Sequence, residues 1–205
     1  MAKNGSAATR RAGRRKTEVL DAACRVISER GAEATRFVDV AEASGVPVST
    51  LQYYFGNRED LVVAAFRHAS HAELATIRAG LKEVTDPWAQ LRYVLEEALA
   101  GFASPSPHDG RMWIESWRFA IRDDGMRADV HEDYAAWREI IVGIVRGGVA
   151  SGHFTAALPL EQTAAATIAL LDGLGIPLEV GDPAVPHEVA LGTALAVLGC
   201  LLAPK

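Results

Sequence analysis

The 205-residue chain is 49% apolar and 23% charged, an ordinary globular composition that excludes collagen-like, low-complexity and disulfide-stapled scaffolds. Its two cysteines, Cys24 and Cys200, lie far apart in apolar helical patterns and read as free buried thiols in a reducing compartment. The net charge of −5 argues against a polyanion partner, but residues 1–58 hold ten Lys/Arg against six Asp/Glu and the remainder eleven against twenty. A basic head on an acidic body points to one localised polyanion-binding face.

The first fifteen residues are rich in Gly, Ser, Ala and Arg, with no apolar core after the basic ones, so they read as a flexible basic arm rather than a secretory leader. The first helix is expected over 16–30, where Leu20, Ala23, Cys24 and Ile27 repeat on one face and Gly31 closes the element. A second helix over 36–44 follows Thr35 as its expected N-cap, with Phe37, Val40, Ala41 and Ser44 turned inward. Gly45 forms a short turn, and the third helix is the stretch VSTLQYYF. A fourth starts at Asn57, a capping residue with Glu59 and Asp60 in the first turn, and runs through Leu61, Phe66 and Leu74.

Helix two, a turn with Gly45 and helix three have the spacing of a helix-turn-helix unit, whose second helix enters the DNA major groove. On helix three, Leu51 and Phe55 are four apart and anchor it inward, while Val48, Ser49, Thr50, Gln52, Tyr53 and Tyr54 occupy the other faces. The hydroxyls suit phosphates or base edges, the Gln52 amide can pair bidentately with adenine, and the tyrosines can donate to phosphate. Arg58 adds charge beside the N-terminus of helix four, already an anion site. Arg10, Arg11, Arg14, Arg15 and Lys16 extend the footprint as an arm against backbone or minor groove, and Arg36 at the start of helix two is placed to reach a phosphate.

Beyond residue 57 the pattern stays helical. Helices are expected over 86–103, 109–122, 126–150, 159–174 and 187–202, separated by the loop SPSPHDG and by Gly152, Pro177 and GDP, with no convincing strand. The last two, TAAATIALLDGLGI and VALGTALAVLGCLLA, lack a polar face. In a chain of this size, a second copy of the same subunit is the expected cover. No stretch reaches the roughly 20 apolar residues of a membrane span, and a cytoplasmic protein is expected.

The segment 14–66, through EVLDAACRVISERGAEAT, VDVAEASGV and STLQYYFGNREDL, resembles the DNA-binding domain of the TetR/AcrR family of bacterial regulators. The resemblance implies an all-α dimer: a three-helix helix-turn-helix domain over 16–56, and a C-terminal helical domain over 57–205 that binds a small effector and dimerises through its last two helices. It implies a double-stranded DNA operator as partner, no cofactor and no catalysis. Three residues depart from the family pattern: Pro47 stands where a Ser N-cap is usual, and Gln52 and Tyr54 stand where Tyr and His are common.

All four tryptophans fall between residues 88 and 137. Phe102, Trp113, Trp117, Tyr134, Trp137 and Leu171, with His131 and Asp172 as polar handles, form the expected lining for a mostly apolar effector of unknown identity. Enough aromatic surface there would also cage a quaternary ammonium. No spacing of His, Cys or acids supports a metal site, and nothing orients a nucleophile. The alternatives left by the sequence are an activator instead of a repressor, or a helical dimeric binding protein without operator specificity.

Overall fold

In the computed structural model, residues 3–103 and 110–204 are described, with side chains over 13–102 and 110–203. The loop SPSPHDG lies almost wholly outside them, as do the side chains of Arg10 and Arg11. Among the described residues there are nine helices and one pair of short strands: α1 (Lys3–Arg30), α2 (Phe37–Ser44), α3 (Val48–Phe55), α4 (Arg58–Leu81), α5 (Pro87–Ala103), α6 (Gly110–Ala120), α7 (Asp124–Ala150), β1 (Phe154–Ala156), α8 (Leu160–Glu179), α9 (His187–Leu201) and β2 (Leu202–Pro204).

The chain divides into two compact units, residues 1–71 with 106–127, and residues 72–105 with 128–205. This cuts differently from the expected boundary at residue 57: α6 belongs with α1–α3, and α4 and α7 each begin in one unit and end in the other. The first unit is called the head below and the second the body.

In the head, α1 buries Val19, Ala22, Ala23, Cys24, Val26 and Ile27. It ends at Gly31, whose φ of +82° is left-handed and whose N–H donates to the Ile27 carbonyl. That backbone suits Gly, which has no Cβ to clash. The arm expected over 1–15 is helical from Lys3 onward. Thr35 is buried, but it is not the N-cap of α2; its hydroxyl donates to the Gly31 carbonyl at 2.9 Å. Arg36 holds the cap position. A guanidinium has no acceptor to cap with, so the first turn is tied from the other side: Asp39 Oδ2 accepts the Arg36 N–H at 3.0 Å while its Oδ1 accepts from Arg30. Asn57 caps α4 as expected, its Oδ1 accepting the Asp60 N–H at 2.8 Å.

In the body, α5 packs against α8 and α9; the buried residues there include Leu91, Leu95 and Leu99 on α5, Ala164, Ile168 and Leu171 on α8, and Ala190, Ala194 and Leu198 on α9. Helix α8 does not stop before Pro177 but continues to Glu179. Pro177 removes the bond to the carbonyl four residues back, that of Gly173, which is exposed and can turn to water. The strand pair, not foreseen in the sequence, is antiparallel with Thr155 opposite Ala203. Phe154 fills the space a side chain at Gly148 would occupy and meets Trp88 edge-on.

Candidate nucleic-acid interface and effector site

The turn before α3 is built from backbone. Gly45, at φ +68°, caps α2 by donating to the Ala41 carbonyl; the Ser44 hydroxyl accepts the Val46 N–H at 3.3 Å, and Val46 is buried. Pro47 takes the N-cap position of α3 with no side-chain cap. Its carbonyl accepts from Thr50 and Leu51, so the helix forms without the Ser cap. Leu51 and Phe55 are buried, and they hold α3 by one face. Opposite them Ser49, Gln52 and Tyr53 are exposed, Tyr53 at 84%; Val48, Thr50 and Tyr54 are half-buried on the flanks. An exposed face of hydroxyl, amide and phenol on a rigidly seated helix is the chemistry that base edges and phosphates require.

The basic residues divide. Arg36 is exposed at the start of α2, and Arg14 and Arg15 are exposed on α1, Arg14 in a 3.6 Å pair with Glu18. Lys16 lies beside α3, its Nζ 5.5 Å from the centre of the Phe55 ring. Lys16, Tyr54, Phe55 and Arg67 share an open groove of about 460 Å³.

Arg58 was expected to face a phosphate, but it is used inside the head. Its Nη1 donates to the Ala32 carbonyl at 2.7 Å, and Nε and Nη2 donate to Glu59 at 3.1 and 2.9 Å. The Glu59 carboxyl is held below its ordinary range, first by a backbone N–H and then by Arg58. The other side of the same loop is gripped from α6, where Glu115 Oε2 accepts the Ala32 N–H at 2.7 Å and Arg118 pairs with Glu115 and Glu33. The α1–α2 loop is thus clamped by α4 and α6. No sequence pattern reveals this clamp, because Ala32 and Glu115 are 83 residues apart.

The expected effector residues fall in both units. Trp113 and Trp117 lie on α6 in the head, ring centres 6.2 Å apart. The Trp117 indole nitrogen is buried with no hydrogen-bond partner among the described residues. In the body, Phe102 is buried over Gly175, whose Cβ position lies 2.6 Å from the ring. Tyr134 donates its hydroxyl to Asp172 Oδ2 at 2.9 Å, Trp137 and Leu171 are buried, and His131 is exposed. Asp172 is the one acid in an otherwise apolar stretch of α8. Burial lifts its carboxyl above the usual carboxylate range, partly offset by the Tyr134 hydrogen bond. Burial also raises the Tyr134 phenol, helped by the Asp172 charge. Among the described residues no group of three His, Cys, Asp or Glu is placed to hold a metal ion, and no helix is long and apolar enough to cross a membrane.

Two family models match the chain. One described as bacterial regulatory proteins, tetR family, matches residues 19–65, and one described as BetI-type transcriptional repressor, C-terminal, matches residues 87–203. The HTH-type transcriptional regulator BetI of Burkholderia cenocepacia is 24% identical over 193 residues, covering 92% of this chain and 94% of that protein. The fatty acid metabolism regulator protein of Bacillus subtilis is 23% identical over 146 residues, covering 70% of this chain and 73% of that protein. Among solved structures, a transcriptional regulator from Saccharomonospora viridis in complex with choline superimposes with a TM-score of 0.83 at 22% identity, covering 93% and 98% of the two chains. FadR from Bacillus subtilis in complex with stearoyl-CoA does so at 0.74 and 20%, covering 88% and 96%.

Proposed function

We infer the working of the molecule from one premise: the chain belongs to the TetR family of bacterial regulatory proteins and is a ligand-responsive, DNA-binding transcriptional repressor. In our reading it acts in the cytoplasm, without catalysis, as a homodimer on a pseudo-palindromic operator. Each α3 reads one half-site, the two lying about one helical turn or slightly more apart. The observation that carries this reading is the division of α3 into a buried Leu51–Phe55 edge and an exposed Ser49–Gln52–Tyr53 face.

Dimerisation is assigned to α8 and α9, where Ile176, Val189 and Val197 are 47%, 47% and 40% exposed. Release from DNA is assigned to an effector held in the body by Tyr134, Trp137, Phe102, Leu171 and Asp172. A half-buried carboxylate that accepts from a neutral phenol favours a cation, and aromatic neighbours suit a quaternary ammonium. The choline bound by the Saccharomonospora viridis regulator supports that class. The anionic acyl-CoA of the FadR complex would meet a like charge at Asp172. An effector that prefers one of two states of the dimer shifts it away from the DNA-competent one.

The test is isothermal titration with choline and with its uncharged carbon isostere 3,3-dimethylbutan-1-ol, against wild type and Asp172→Asn. Choline binding that is lost with the isostere and in the variant is expected; equal binding of both compounds would remove the cation assignment.

A further inference from the structure

Helix α1 runs unbroken from Lys3 to Arg30. Among its described side chains the first buried one is Val19, and residues 13–18 are all exposed; Val19 stands about four turns beyond Lys3. At about 1.5 Å per residue, the stretch from Lys3 to Glu18 is a rod of roughly 24 Å. Its sequence carries Lys3, Arg10, Arg11, Arg14, Arg15 and Lys16 against the single acid Glu18. The base of the rod adjoins the reading helix, where Lys16 stands over Phe55.

Little within the chain supports a helix there. The first turn has no acid, and cations at this end oppose the helix dipole. Arg10 and Arg14, and Arg11 and Arg15, are like charges four positions apart, a spacing that destabilises a helix. Gly5 and Gly13 weaken it further. Among the described side chains, the Arg14–Glu18 pair and the bond from the Thr17 hydroxyl to the Gly13 carbonyl at 3.3 Å support it. Such a helix is marginal on its own and is stabilised by an external polyanion. A helix about 10–12 Å across does not fit a minor groove about 6 Å wide, but it matches the major groove at about 12 Å or a row of phosphates along its edge.

We propose that residues 3–16 engage duplex DNA as a helix continuous with α1, laid against the phosphates next to the bases α3 reads, and that contact with the duplex completes this helix. The inference rests on the reading that α3 docks on duplex DNA. It replaces the extended minor-groove arm expected from the sequence with a rigid one.

Gly13 lets the two geometries be separated at constant charge. A Cβ there meets nothing within 4 Å, so Gly13→Ala raises helix propensity without a clash, whereas Gly13→Pro breaks the helix. Binding is measured by fluorescence anisotropy for wild type, both variants and a protein lacking residues 2–12. Each is tested on DNA from upstream of the gene and on a scrambled duplex, with far-ultraviolet circular dichroism of each complex. On both duplexes Gly13→Ala is expected to bind tighter, by up to about 5-fold. Gly13→Pro should weaken to the level of the truncation, and the wild-type complex should gain helical signal over its separate components. Binding of Gly13→Pro equal to wild type, with the truncation weakened, would mean an extended arm and overturn the proposal. A truncation that binds as wild type would overturn it too. Loss of preference between the duplexes, with the arm series behaving as expected, would instead count against the operator reading and leave the arm standing.

Discussion

Helices α3 and α9 both leave much of their surface uncovered, and they leave opposite chemistry on it. On α3 the open positions are Ser49, Gln52 and Tyr53; on α9 they are Val189, Gly192, Thr193, Ala196, Val197 and Cys200, after an opening Glu188. Each helix is pinned by a short buried row, Leu51 and Phe55 on one and Ala190, Ala194 and Leu198 on the other. The buried rows are alike, so they do not separate the functions; the exposed faces do. A face of hydrogen-bonding groups suits the edges of bases. A face of small and branched apolar groups gains from contact with another apolar surface.

The head and the body also use charge differently. The head engages Arg30, Arg58 and Arg118 in closing its own loop on Asp39, Ala32 and Glu33. In the body, the half-buried Asp172 on α8 has a phenol as partner.

Five substitutions test this contrast, in falling order of effect. Leu51→Ala empties the fully buried anchor of α3 and is expected to cost about 2–5 kcal/mol. DNA binding should disappear while the body still dimerises by analytical ultracentrifugation; loss of both would mean that the two surfaces are not separable. Arg58→Ala leaves the Ala32 carbonyl without its donor and is expected to lower head stability by about 1–3 kcal/mol. A drop in melting temperature with an unchanged salt slope of DNA binding is predicted. An unchanged melting temperature with a shallower slope would return Arg58 to the DNA face.

Gln52→Ala and Tyr53→Ala, both on the exposed face, should each weaken operator binding by about 1–3 kcal/mol without changing the melting temperature. The smallest effect concerns pH. Burial raises the Asp172 carboxyl above its unfolded value, so the folded body holds that proton at pH values where the unfolded chain has released it. The resulting stability is present at acidic pH and is lost as pH rises through the raised value. Asp172→Asn should therefore melt above wild type at neutral pH, with the gap closing on acidification into the carboxylate range. A gap that widens on acidification would contradict this sign.

The parts of the fold governed by local chemistry were legible in the sequence. The buried side of α1, the Gly45 turn, the Asn57 cap and the Leu51–Phe55 anchor all follow from spacing, because neighbours on a helix are three or four residues apart. What escaped depended on distant or compensating partners. Arg58 has the sequence position of a phosphate ligand, yet its acceptor is the carbonyl of Ala32, 26 residues back. Glu115 holds the Ala32 N–H from 83 residues away. Pro177 read as a stop, but the carbonyl it orphans is on exposed Gly173, so α8 continues. The arm's composition pointed to coil, whereas α1 continues through it. In the body, the pairing of Tyr134 with Asp172 spans 38 residues and left no mark in the local pattern.

The most direct test of the central claim, that the exposed face of α3 reads a specific sequence, is fluorescence anisotropy at fixed near-physiological salt. It compares DNA from upstream of the gene with a scrambled duplex of the same length, for wild type and Gln52→Ala/Tyr53→Ala. Wild type is predicted to prefer the upstream DNA by about 10³-fold or more, and the double variant to lose most of that preference while keeping its affinity for the scrambled duplex. Equal affinity of wild type for both duplexes would contradict the claim.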